Sequence, residues 1–306
     1  MQTPWGQLEV ADAHVHFFSH NFFQLLSQQG EHLRSLTVSE IAARLGWDAP
    51  PETAAGLGDR WVGELDRNLI SQAVLIASLP GDEQSVSSVL LRHPERFWGY
   101  FFFNPLAPQV ETRLENAAAA GFRGACLFPA MHGYLLSAPE VSQSLDSCAR
   151  LKLRVFIHCG VLSVGVRKRL GLPSRFDMRF SNPIDLHPVA LRYEDVRFVV
   201  PHFGAGYFRE ALMLAALCPN VYFDTSSSND WIRYQPGGLT LKQVFAQALD
   251  VAGANRLLFG TDSSFFPRGW NRAIFSAQVE ALTQLGASRE DAAAILGGNL
   301  RHLLAD

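Results

Sequence analysis

Eight short runs rich in Val, Ile, Phe and Leu recur along this chain, at 8–15, 73–78, 97–103, 123–128, 153–158, 196–202, 220–224 and 256–261. Between them lie amphipathic stretches, among them 60–70, 109–120, 138–150, 207–217 and 240–251, each long enough to carry the chain back across a sheet in a right-handed crossover. Apolar runs alternating with helical patterns mark repeated βα units around a parallel sheet. Eight units predict an α/β fold closed into a (β/α)8 barrel, and 306 residues with 48% hydrophobic content suffice for one such domain over 1–306. Two connections exceed what a βα loop needs, at about 19–60 and 160–190, and both read as insertions over the rim. The last stretch, GGNLRHLLAD, reads as a closing helix.

The downstream ends of these runs carry the chemistry. His14 and His16 stand in LEVADAHVHFF, His158 in LRVFIHCG, His202 in VRFVVPHFG and Asp262 in RLLFGTDSSF. A barrel brings such ends together on one rim, where barrel enzymes build their sites, whereas a doubly wound open sheet would spread them apart. Imidazole and carboxylate suit an ion such as zinc, and three such ligands with an open position make a catalytic site. In a strand, residues i and i+2 point the same way, about 6.6 Å apart, so His14 and His16 should project together. Asp12 shares their face one step deeper and reads as a second-layer hydrogen-bonding residue, not a ligand. Taken singly each signal is weak: an HxH pair is often two ordinary histidines, His158 could be a core residue, and Asp262 could cap a helix. The recurrence at four run ends is what makes the pattern specific.

From DAHVH through FIHCG and PHFGAG to FGTDSSF and GNLRHLL, the sequence resembles the amidohydrolase superfamily, in its amidohydrolase-related (amidohydrolase 2) branch, and is similar to the metal-dependent enzymes like aminocarboxymuconate-semialdehyde decarboxylase. The resemblance implies that His14, His16, His158 and Asp262 hold a divalent ion, zinc first and manganese second, with His202 beside it to activate water or move a proton. It also makes a homodimer plausible. The superfamily often bridges two metals with a carboxylated lysine at the fourth strand end; here that strand reads RGACLFPAMHG, without lysine, so one metal is expected. A divalent ion lowers the pKa of bound water from about 15.7 toward about 7 and polarises a carbonyl oxygen. Asp262 and His202 are then the catalytic pair, the first accepting the water proton and the second relaying it.

Substrate contacts are sought on the rim: Asn104 after the third run, His132 and Tyr134 after the fourth, and Arg268 and Trp270 after the eighth. A guanidinium there suits a carboxylate, and Arg268 ranks ahead of Arg167, Arg175 and Arg179 in the second insertion. GAGYFR lacks the third glycine of a dinucleotide fingerprint, so Gly204 and Gly206 read as letting the backbone pass close to the site. Net charge is −3, and Lys152, Lys168 and Lys242 form no cluster, which argues against nucleic acid as a partner. No basic leader and no long apolar run suggests a membrane, so a cytoplasmic protein acting on a small molecule is expected. Cys126, Cys148, Cys159 and Cys218 show no CxxC spacing and read as reduced.

Three functions are weighed. The first is a mononuclear metal-dependent hydrolase of an amide, ester or lactone bond in a small substrate, with carboxylated molecules favoured. The second is a nonoxidative decarboxylase of an aromatic or unsaturated acid, using the same ligands. The third, with low weight, is a non-catalytic barrel stabilised by its metal, disfavoured because structural zinc is usually closed by four ligands that include cysteine.

Overall fold

The computed structural model describes residues 1–174, 176–226 and 230–305. Every apolar run becomes a strand: β1 (Val10–Phe17), β2 (Ile70–Ala77), β3 (Phe97–Phe103), β4 (Phe122–Leu127), β5 (Arg154–Ile157), β6 (Phe198–Pro201), β7 (Val221–Asp224) and β8 (Leu257–Leu258). They form one parallel sheet in chain order. Its edges meet beyond β8, where His16 N–H donates to Ser263 O at 2.7 Å and Ala13 N–H to Phe259 O at 2.8 Å. The sheet is thus a (β/α)8 barrel, with crossover helices such as Val110–Ala119, Pro139–Arg150, Phe208–Leu217 and Leu241–Ala252 outside. The helix expected at 60–70 starts earlier, at Ala54, because Thr53 caps it by accepting from Gly56 N–H at 3.1 Å.

Two apolar layers hold the barrel. Outward side chains, Val10, Val15 and Phe17 among them, pack against Trp61, Leu65 and other helix residues. Inside, Ala11, Ala13, Val74, Tyr100 and Phe156 fill the lumen, and the closing helix Asn299–Leu304 inserts Leu300, Leu303 and Leu304 among them. The carboxyl end of the lumen is left for the site.

One irregularity decides what that end presents. Asp12 pairs with Ala73 and Val15 with Leu75, so three steps along β1 are matched by two along β2. This is a β-bulge, and one extra residue reverses the alternation of side chains. Ala11 and Ala13 face the lumen below it; above it His14 and His16 face inward and Val15 and Phe17 outward. Simple alternation would have put the histidines opposite Ala11 and Ala13. The expectation that Asp12 shares the histidines' face is therefore corrected. Its buried carboxylate lies on the β8 side and accepts from His14 N–H (2.9 Å), Thr261 N–H (3.1 Å) and Trp270 Nε1–H (2.7 Å). It thus takes the backbone donor at the bulge and ties β1 to β8. Burial raises its pKa to about 6, with those hydrogen bonds opposing.

Over the rim, helices His20–Ser27 and Val38–Leu45 of the first insertion and Gly165–Arg169 of the second share an apolar cluster that includes Phe22, Ile41, Leu45 and Val166. His32 Nε2 lies 2.8 Å from Leu170 O, and Arg169 donates to Leu45 O, so each insertion braces the other. All four cysteines are free and buried. Among the described residues no helix is long and apolar enough to cross a membrane.

Candidate metal centre

The bulge delivers two imidazoles whose hydrogen bonds determine which nitrogen faces the lumen. His14 Nδ1 lies 2.7 Å from Asp224 Oδ2, a carboxylate that can only accept, so Nδ1 carries the proton. His16 Nδ1 lies 2.7 Å from Ser78 Oγ, whose own proton goes to Ile76 O at 3.1 Å, so His16 Nδ1–H is again the donor. Both Nε2 atoms are then lone-pair acceptors, and they stand 3.3 Å apart. Asp262 Oδ1 joins them, 3.2 Å from His16 Nε2 and 3.6 Å from His14 Nε2. Three acceptors this close repel one another unless a cation sits among them, and their ligand atoms all fall within 4.8 Å. A His-His-Asp group of this kind can hold a metal ion.

The electrostatics point the same way. Burial opposes protonation of His14, yet Asp224, Asp262 and Asp12 together raise its pKa to about 9, so the spot attracts even the simplest cation, a proton. Burial pushes the Asp262 carboxyl up, but the close approach of His16 first, and then the neighbouring imidazoles of His14 and His202, hold it well below the usual carboxylate range.

His158 and His202 complete the ring of imidazoles without joining the three-residue group. His202, in the turn after β6, lies with its ring 5.2 Å from that of His14 and 5.3 Å from that of His158. Its Nδ1 is 3.1 Å from Ser226 O, a pure acceptor, so Nε2 holds the lone pair. Burial first, and His14 second, lower its pKa. Burial takes His158 down to about 3, which keeps it neutral, and its buried Nδ1 has no hydrogen-bond partner among the described residues. An orphaned buried nitrogen beside three converging acceptors fits a set of metal donors.

Asp224 is the residue that reading the sequence missed. It closes β7 in VYFD, the same run-end position as Asp262, and that was the available signal. Its Oδ1 accepts from Ser226 N–H at 2.7 Å while Oδ2 holds His14, the arrangement in which a carboxylate sets the tautomer and orientation of a ligand imidazole. Gly260 makes room for it: a Cβ there would lie 2.6 Å from Asp224 Oδ1. Asp224→Asn is expected to weaken metal binding by roughly 10- to 100-fold. Titration of the metal-free variant by calorimetry measures this, and an unchanged affinity would remove Asp224 from the role.

The cavity above the group has a volume of about 420 Å³. All five rim candidates lie outside its described lining. Asn104 Oδ1 accepts from Leu106 N–H at 3.0 Å and shapes a turn. His132 stacks on Tyr134 with ring centroids 6.3 Å apart, behind Phe102, and burial lowers the His132 pKa to about 4. Trp270 is buried and spends its Nε1–H on Asp12. Arg268 also lies outside the lining: it donates to Asp262 O at 3.1 Å and Ser264 Oγ at 3.0 Å, and its guanidinium covers Phe265. Arg179 is paired with Asp177 at the surface, and Arg175 lies outside the described residues. Arg167, ranked lower from sequence, does line the cavity, and so does Arg169. Gly204 passes close to the backbone of the loop after β5: a Cβ on Gly160 would lie 2.2 Å from Gly204 O, whereas Gly206 makes no such approach.

A parallel barrel with imidazoles and carboxylates gathered at its carboxyl rim is the architecture of a barrel enzyme with a metal-competent site. The chain belongs to the amidohydrolase family, whose model, described as amidohydrolase, matches residues 11–304. Protein fluG of Emericella nidulans is 33% identical over 87 residues, 28% of this chain, so the match spans about a tenth (10%) of that relative's length. Among solved structures, the putative 2-pyrone-4,6-dicarboxylic acid hydrolase of Pseudomonas putida is 21% identical, with 98% of each chain covered and a TM-score of 0.63. The 5-carboxyvanillate decarboxylase of Novosphingobium aromaticivorans, complexed with manganese and 4-hydroxy-3-methoxy-5-nitrobenzoic acid, is 14% identical, with 100% of this chain and 99% of that one covered and a TM-score of 0.65. At these identities the two structures show a shared fold.

Proposed function

We propose that the protein is a cytoplasmic hydrolase that opens an amide, ester or lactone bond in a small carboxylated substrate, using one divalent ion held by His14, His16, His158 and Asp262. The observation that carries this reading is the convergence of His14 Nε2, His16 Nε2 and Asp262 Oδ1, each an acceptor whose other side is either committed or anionic. Nitrogen and carboxylate donors without sulfur suit zinc, with manganese as the other candidate. When bound, such an ion supplies polarisation of a carbonyl oxygen and acidification of water. The absence of lysine from β4 supports a single ion. His202, neutral and anchored through Nδ1 to Ser226 O, presents Nε2 as the base that takes a proton from water and returns it to the leaving group. Asp262 shares the proton and fixes the nucleophile's position. The two insertions cap the rim and exclude bulk water.

A second reading has its own support. Around the imidazoles the floor is apolar, with Ile76, Cys126 and Phe156, and a substrate carboxylate pressed there loses hydration, which favours release of carbon dioxide. Protonation of the ring carbon would then fall to Asp262 or His202.

Metal stripped by chelation and restored in steps tests both. Turnover on a panel of aryl esters and lactones is expected to fall by on the order of 10³-fold and return with about one equivalent of zinc or manganese. Carbon dioxide release without ester or lactone cleavage would select the second reading, and turnover untouched by chelation would sink both.

A further inference from the structure

The cavity is polar at two ends and apolar between. Its base holds the imidazoles and Asp262, which is the only carboxylate among the described lining residues. On the β8–β1 side, Phe18, Trp47 and Phe265 form a parallel stack, with Phe18 and Trp47 5.6 Å apart at 9° and Trp47 and Phe265 4.3 Å apart at 7°. On the β3–β4 side, across the barrel, Phe102 and Phe128 stack 4.8 Å apart at 18°. Two aromatic walls on opposite sides of a lumen leave a slot that favours a flat or slender body.

At the rim, helix Gly165–Arg169 brings Arg167 to the same cavity. Arg167 is half-buried, with Nε donating to Pro173 O at 2.7 Å and Nη1 donating to Gln29 Oε1. Both partners are neutral, and no described carboxylate pairs with it, whereas Arg60, Arg92 and Arg113 all have carboxylate partners. Burial lowers its pKa, so its charge is only partly solvated. Two neutral hydrogen bonds orient the fork, and Nη2, without a partner among the described residues, can bind an anion. Arg268, the stronger candidate from sequence, is turned away onto Asp262 O and Phe265.

We propose that Arg167 is the specificity residue for a second, distal anionic group, so that the substrate is an amphipathic molecule with its reacting carbonyl or carboxyl at the histidine end, an apolar flat body, and a carboxylate at the rim. This rests on the proposed function for the position of the reacting group and adds what the far end must carry.

Equilibrium binding of two probes to the metal-loaded protein, biphenyl-4,4′-dicarboxylate and biphenyl-4-carboxylate, tests it without requiring turnover. The dicarboxylate is expected to bind roughly 10- to 100-fold more tightly. Arg167→Gln should reduce that ratio to within about threefold while leaving the monocarboxylate's affinity in place, and Arg268→Ala should preserve the ratio. Equal affinities in the wild type, or a full ratio surviving in Arg167→Gln, would overturn the proposal. The wild-type comparison stands even if Arg167→Gln fails to fold, and Arg167→Lys, which keeps the charge and loses the fork, then supplies the variant arm with an intermediate ratio. A retained ratio with no hydrolysis of any ester or lactone would sink the hydrolase reading and leave this one standing. Equal affinities in a protein that hydrolyses them would do the reverse.

Discussion

Replacing His14 and His16 together with alanine is expected to remove the bound metal and to lower turnover by at least about 10³-fold. The double variant deletes two of the three converging acceptors and leaves, of the four proposed ligands, His158 and the partly exposed Asp262, two donors that cannot retain a transition metal against buffer. The two single variants should separate in stability. His16 Nδ1 bonds to Ser78, a neutral hydroxyl that can turn to another acceptor, so His16→Ala should melt close to the wild type. His14 neutralises Asp224, a fully buried carboxylate, and its removal leaves a buried charge that has lost its partner imidazole and keeps Ser226 to bond it. Breaking a buried pair from one side costs about 3–5 kcal/mol, which for a chain of this size lowers the melting temperature by roughly 6–15 °C. Elemental analysis of the folded variants, steady-state kinetics and thermal melts check the three statements. A full equivalent of metal in the double variant would disprove the assignment.

The barrel was legible because its evidence is periodic and repeated. Eight apolar runs of strand length, each followed by a helical pattern, leave few topologies, and every run from Val10–Phe17 to Leu257–Leu258 became a strand at its expected place. The cluster at the rim was legible because its members share one position in those runs. What escaped depends on single departures from the period. The bulge between Asp12 and Val15 adds one residue, and no composition signal marks it; strict alternation puts Asp12 on the face of His14 and His16, whereas the bulge sets Ala11 and Ala13 below the histidines in the lumen and turns Asp12 toward β8. Asp224 was passed over although it ends its run as Asp262 does, because a lone terminal aspartate reads equally well as a turn residue. The rim candidates fared worst. Which arginine faces a cavity depends on how two insertions pack, and that packing buries Trp270 against Asp12 and turns Arg268 onto Phe265 while bringing Arg167 to the wall.

Gly160→Ala tests the frame that holds the imidazoles in place, and it should be the most destabilising single methyl addition near the site. Gly160 follows β5 by two residues past His158 and has φ +76, a region costly for any side chain. Its missing Cβ would lie 2.2 Å from Gly204 O and 2.3 Å from Ala205 O, both backbone atoms in the left-handed turn that follows His202. That turn cannot retreat cheaply, because Val161 N–H donates to Ala205 O at 2.8 Å, fastening the loops after β5 and β6 together, and Gly160 is itself held within its own loop by donating its N–H to Ser181 O at 2.8 Å. Backbone strain of about 1–3 kcal/mol adds to an overpacking cost of similar size. A loss of roughly 2–6 kcal/mol is expected, measured by denaturant unfolding. Because the loops that would shift carry His158 and His202, turnover in the surviving folded protein should fall as well, by roughly 10²-fold for a displacement near 1 Å. Gly165→Ala is the matched control: it lies in the same insertion at the start of helix Gly165–Arg169, and its Cβ would meet nothing within 4 Å. It should be neutral or stabilising by up to about 1 kcal/mol. If the two alanines cost the same, the contact between the β5 and β6 loops does not hold the histidines in register.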